Sequence, residues 1–535
     1  MQPFKHPGDL DHPGTPARAA RRLGLLFATA SALAIAGAAS AQCVVNPTTP
    51  YTNTGALNCL VFDDGAAHTG DVTNAASGTI TSSTIDGVSV YANTTISGSI
   101  VNNGTITIAE SMPSLRLKGL LIQSATVGVN LVNTGNVTAS DLDVELINAT
   151  IGGAINNSGN LTGTSTGGSG GIGIIDSDIN TSSAQNSTVV RGGIFNASAG
   201  VITGPSAGVF IDGSSFNSAG TIIDGGIVND GNMTATSIGY GLYISGNAGN
   251  LAAGGAAVVN GGITNNGNIT GGLGGIGIAG GTVTGGIVNT GLVAGVLEGL
   301  QAVDASISGD IDNTASGTIG ATQGPVIDVS AETLILSSVA TGATSTIVGN
   351  TTIQGNIVNA GALVVPKAAE GIYLSGTGTV TVTVTGNIVN SGIIDSLSSA
   401  ATGTIGIDVA QQATLQGQVL NSGNLDTSVG IEVDGGAVVG GIVNTGAVNV
   451  GGEGYAIALQ GNAVVSGGIT NNGAMGGAAG GIGIFSSTLT GGLLNTGSIV
   501  GGTVGIEVTD ASITGDIYNT ATGGIESVNG SAIVI

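Results

Sequence analysis

From Asp71 to its end the chain keeps returning to one short phrase: an aliphatic residue, a variable residue and an asparagine, as in SIVNNG, NLVNTG, GITNNG, GIVNTG and GLLNTG. Sixteen copies place their asparagines at Asn74, Asn102, Asn133, Asn157, Asn196, Asn229, Asn265, Asn289, Asn313, Asn359, Asn390, Asn421, Asn444, Asn471, Asn495 and Asn519. Five of the fifteen intervals are 24 residues and most others run from 23 to 36. The interval of 46 between Asn313 and Asn359 leaves room for a degenerate copy. A fixed structural unit with loop insertions accounts for this pattern.

The residue two before each asparagine is Ile, Val or Leu in all sixteen copies, whereas the residue between admits Val, Thr, Asn, Phe, Asp, Leu and Tyr. Alternation of this kind marks a strand with one buried face. By the same parity the asparagine points inward or marks a corner. Two roles are open to it: a ladder in which stacked amides bond to one another, or a cap in which each amide bonds its own turn. After the asparagine, glycine follows at the second position in twelve copies and at the fourth after Asn74, Asn196, Asn313 and Asn519, which reads as two turn lengths, each closing on a residue able to take positive φ. A second strand phrase comes next (Gly274–Ile278, Ser428–Val433, Thr503–Val508), then a third (Gly280–Gly286, Ser486–Gly492).

Three short strands in about 24 residues cannot close a barrel and have no helix to cover them. They can coil, each strand pairing in parallel with its equivalent one turn away. The expected fold is therefore all-β, a right-handed parallel β-helix (solenoid) of about 15–18 coils over residues 69–535, a rod of roughly 75 to 85 Å. Composition agrees: 99 of 535 residues are Gly, and an apolar fraction of 41 % against 7 % charged residues is too apolar for a disordered tract. With no Trp, 7 Tyr and 7 Phe, the chain lacks the aromatic girdles of an outer-membrane barrel.

Arg18, Arg21 and Arg22 precede an apolar run from Leu23 to Ala39, closed by Ala39-Ser40-Ala41. This reads as a secretory signal peptide over 1–41, cleaved before Gln42. Arg21-Arg22 hints at twin-arginine export, although the residues that follow fit that signal poorly. Gln42 occupies the place where lipidation of Cys43 would need a small residue. The two cysteines, Cys43 and Cys59, argue for a disulfide in an exported chain, within an N-terminal cap over 42–68; two unpaired thiols are the alternative. Cleavage leaves 4 basic and 30 acidic residues, a net charge of −26. Nucleic acid and anionic lipid are repelled by such a chain.

An exported leader, two cysteines near the mature N-terminus and Gly/Asn/Thr-rich coils together resemble the passenger domain of bacterial autotransporters (type V secretion). The likeness covers nearly all of the mature chain and is architectural; no residue-level motif carries it. It implies an adhesin or surface rod, secreted or displayed by a Gram-negative bacterium, with a host or surface ligand and a translocator barrel on a longer or neighbouring chain. The chain stops at Ser531–Ile535 (SAIVI), in the middle of a second-strand phrase, and so reads as lacking that barrel.

Sites for chemistry are sparse in the sequence. Polysaccharide-cleaving β-helices, the rival reading, need clustered carboxylates with basic partners, and only Arg116, Lys118, Arg191 and Lys367 remain after cleavage. The Arg116/Lys118 pair reads as solvated loop charge. Asp310/Asp312, Asp176/Asp178 and Glu432/Asp434 share strand faces, a spacing that suits a hard cation, but without recurrence from coil to coil they read as outward solubilising charge. Gly170–Asp176 only approximates the calcium nonapeptide, its Asp falling one place late. His68 is the single histidine of the mature chain, too little for a Ser-His-Asp triad or a zinc site. No enzyme activity, cofactor or metal is expected. A self-assembling surface fibre is a second rival.

Overall fold

The computed structural model describes residues 42–535 apart from 110–115, 165–169, 176–186, 214–219, 247–255, 338–343, 397–402 and 453. The leader expected over 1–41, and Asp176 and Asp178, lie outside the described residues. Among the described residues there is no helix. The strands stack in parallel as a solenoid, a parallel β-helix.

One coil shows how the unit is built. Ile263–Asn265 carries the asparagine phrase, Asn268–Thr270 follows the turn, Gly274–Ala279 is the second phrase, and Thr282–Thr284 returns the chain to Ile287–Asn289. Each strand pairs with its equivalent in the next coil: Ile263 with Ile287, Asn268 with Leu292, Gly274 with Glu298, Thr282 with Ser306. The coil therefore has four strands where three were expected. The additional one lies directly after the asparagine turn, where three or four residues such as Asn268–Thr270 are too short to show a period of their own. The second phrase is accordingly the third strand of the coil.

The asparagine strands form a stack of seventeen, from Tyr51–Asn53 to Ile517–Asn519, so the first and last rungs are separated by roughly 77 Å at about 4.8 Å per coil. The seventeenth copy precedes the sixteen read from sequence: Tyr51 pairs with Val72 and Asn53 with Asn74. Within the stretch set apart as a cap, Tyr51–Asn53 and Ala67–His68 thus belong to the coils. Gln42–Val45 lies on Ala56–Phe62, and Cys43, opposite Cys59 in that register, is joined to it by a disulfide. The 46-residue interval hides no degenerate coil. Asn313 pairs directly with Asn359, and the extra chain contains the one antiparallel pair of strands among the described residues, Thr333–Ser337 with Thr344–Val348.

A single apolar core runs through the coils from Leu60 to Val508. From Val72 to Leu493 the aliphatic residue of the asparagine phrase is at most 3 % exposed, while its neighbour faces out and is half-buried, as in Ile287 against Val288, or exposed, as in Ile194 against Phe195. The turn glycines act differently from the expectation. Gly291 and Gly317 do not take positive φ; a Cβ on Gly291 would stand 2.0 Å from the carbonyl oxygen of Gly267 one coil below, and one on Gly317 would stand 2.3 Å from Oδ1 of Asn313. Close stacking, not backbone handedness, excludes a side chain there. Positive φ belongs instead to the Gly-Gly corners before the phrase, such as Gly285 and Gly286.

Candidate functional site

Stacking gives the rod four outer faces, each with its own chemistry. Beside the returning strand half of the outward residues are threonine, as in Thr352, Thr383 and Thr414, while Val189, Ile222 and Val258 stand there on three consecutive coils. Over the short strand after the asparagine they are nearly all Asn and Thr as far as Thr270, as in Thr138, Thr162, Thr203 and Thr234, and mixed beyond it, with Leu292, Ile393 and Asp426 among them. The asparagine strand presents aliphatic residues. The third strand presents carboxylates and aromatics, and on the inside of the rod the asparagines form a second polar column.

The inner column is continuous. Nδ2 of each asparagine donates to Oδ1 of the next at 2.8–2.9 Å, without a break from Asn53 to Asn519. From Asn53 to Asn495 no member is more than 6 % exposed. The same Nδ2 groups also approach their own turns: Asn289 donates to the Gly291 carbonyl at 3.1 Å, and Asn313, with the longer turn, to the Gly317 carbonyl at 3.2 Å. One amide therefore serves as ladder rung and turn cap together, because it carries two donor hydrogens and an acceptor.

The outer column of the third strand runs in register from Gln301 through Asp328, Tyr373 and Asp408 to Glu432. Glu298 and Glu370 begin the same strands three residues earlier, and the Tyr240 hydroxyl reaches Glu298 as well as Gln301. Asp328, Asp408 and Glu432 are only 8, 6 and 8 % exposed, so Glu432 is not the solubilising charge its sequence suggested. Asp328 accepts from Gln301 Nε2 at 3.1 Å, and Tyr240 donates its hydroxyl to Gln301 Oε1 at 2.6 Å. Oδ1 of Asp328 and Oδ1 of Asp408 are buried without a hydrogen-bond partner. Among the described residues no cation stands within ion-pairing reach of this column. Burial first, and neighbouring carboxylates second, push Glu298 and Asp408 up to about 8 and Glu370 to about 7. Asp328 rises to about 6, chiefly by burial. The pairs read from single strands missed this column, whose signal appears only when phrases such as VIDVS, GIDVA and GIEVD are aligned across coils.

A different ionic group sits nearer the N-terminus. Lys118 is 6 % exposed, paired with Asp141 and, at 3.2 Å, with Glu145. The expectation of solvated loop charge fails for Lys118 because it is held just before the strand Leu120–Gln123, where its carbonyl accepts from the Gly87 N–H and the next coil brings the buried carboxylates Asp141 and Glu145 to its ammonium. Asp310 remains exposed, its Oδ1 accepting from the Asn356 backbone N–H at 2.7 Å, and its partner Asp312 is half-buried on the aliphatic face. His68 meets Asp64 at 3.0 Å and packs its ring edgewise on Phe62. Among the described residues no three His, Cys, Asp or Glu side chains converge as a metal site.

No family model, no curated protein and no solved structure matches this chain.

Proposed function

We propose that this protein is a secreted or surface-displayed rod of the autotransporter-passenger kind, an adhesin or structural spacer without enzymatic activity. The observation that supports it is the unbroken stack of seventeen asparagine rungs, which uses nearly all of the mature chain to build length. In this reading residues 1–41 direct passage through the inner membrane, a translocator barrel on a longer or neighbouring chain takes the rod to the surface of a Gram-negative cell, and a host or surface ligand meets its outer faces. The test is display: the full chain, joined to a translocator barrel and produced in a Gram-negative host, should be removed from intact cells by added protease and should raise their attachment to surfaces. Retention inside the cell with the leader uncut would overturn the reading.

The outer carboxylate column favours one second reading, a polysaccharide-active enzyme. Groups held protonated near neutral pH beside a more acidic neighbour, as Glu298 stands to Asp328, are the raw material of acid/base chemistry. Turnover of a polysaccharide that is lost in Asp328→Asn would establish it; attachment unaffected by that substitution supports the rod.

A further inference from the structure

The face built by the asparagine strands differs from the other three. Its seventeen outward residues, one per coil, include eleven apolar side chains, four threonines, Asn156 and Asp312. Val358, Val389, Leu420 and Val443 follow one another on consecutive coils, each half-exposed. Phe195 is 37 % and Tyr518 60 % exposed. In a mature chain with 30 acidic residues, a single charge on this column is a pronounced segregation; Asp71, Asp230, Asp310 and Asp516 stand only at its borders. The inward residues on either side are already committed to the core and the amide ladder, so the aliphatic column adds nothing to the interior of its own chain.

We propose that this face is a self-association surface on which two copies of the rod pack side by side. A second copy suits it for three reasons. Both faces repeat at about 4.8 Å, so two of them can interdigitate rung for rung along their length, as sheets do when stacked about 10 Å apart. The face is roughly 77 Å long and about 10 Å wide, hence on the order of 750 Å² per copy, which is the size of a standard stable interface. Two shallow hollows open on this same face: one of about 170 Å³ beside Phe195, lined also by Val132 and Val228, and one of about 300 Å³ beside Tyr518, lined also by Thr470 and Leu494. Each lies beside a protruding ring, which suits knob-and-hollow packing between identical surfaces related by a two-fold axis. The arrangement differs from end-to-end stacking of coils and is independent of what the rod binds.

Sedimentation of the full chain over two decades of concentration, at low and high salt, tests this. A reversible dimer is expected, strengthened by salt because screening relieves repulsion between two acidic rods. Val389→Glu with Leu420→Glu should weaken it by at least about tenfold, whereas Thr352→Glu with Thr383→Glu, the same charges on the threonine face, should not. Should the first pair unfold the chain, Val389→Thr with Leu420→Thr keeps the strand and should weaken association in the same direction. A chain monomeric at every concentration and salt, or association equally sensitive to both pairs or to neither, would overturn the proposal.

Discussion

Two columns of polar side chains run along this rod on the same 4.8 Å spacing, and they behave in opposite ways. Inside, Asn289 gives a hydrogen to Asn313 and receives one from Asn265. Outside, Asp408 stands in register with Glu432 and neither can give the other anything while ionised. Stacking in register multiplies whatever one rung does to its neighbour. An amide, with donor and acceptor in one group, is its own complement, so repetition adds stability. A carboxylate only accepts, so repetition adds repulsion and a desolvation cost that a proton relieves.

The sharpest way to break the comparison is to place a rung of the outer kind into the inner column. Asn359→Asp removes the donor to Asn390 and buries a charge among amides, and should cost about 4 kcal/mol in denaturant unfolding at pH 7. A loss under about 1 kcal/mol would mean that the ladder is incidental to the core around it. Next in size, Lys118→Gln leaves Asp141 and Glu145 buried without their cation and should cost about 3 kcal/mol. That group is the paired counterpart of the unpaired carboxylates further along.

Asp408→Asn makes the reverse exchange and should stabilise the rod by about 1–2 kcal/mol at pH 8. The sign follows from linkage. The folded-state value of Asp408, about 8, lies above its unfolded value near 3.9, so the folded chain holds more protons between those limits and stability falls as pH rises through that window. The gain in Asp408→Asn should therefore be largest at and above pH 8 and fade towards pH 4, as melting temperatures of both proteins across that range would register. A gain that is constant with pH would point to packing in place of charge. Smallest of all, Val288→Thr on the aliphatic outer face should change the stability of one rod by less than about 0.5 kcal/mol, since that side chain belongs to neither column.

Much of the inner column was legible because its geometry is local. An aliphatic residue two places before an asparagine has the same parity in every copy, and sixteen repetitions expose it. The seventeenth rung escaped because Tyr51 replaces the aliphatic residue before Asn53. The fourth strand of the coil escaped because a segment like Leu292–Ala294 is too short for periodicity to register. The carboxylate column was hidden for another reason: Asp328 and Asp408 lie 80 residues apart in sequence, and one intervening coil, that of Tyr373, brings them onto one line.

By itself, then, the sequence determined the strand period, the inward aliphatic positions and the stacking unit, because each depends on residues a few places apart, while the two roles open to the asparagine were decided only by the stacked coils. Only the tertiary structure decided that Lys118 is buried and paired, that Glu432 lies in an unpaired acidic column, and that the 46-residue interval is an insertion between directly stacked coils. Those outcomes depend on which coil lies above which, and a repeat pattern specifies the rung without specifying what its outward side chain meets on the coils above and below.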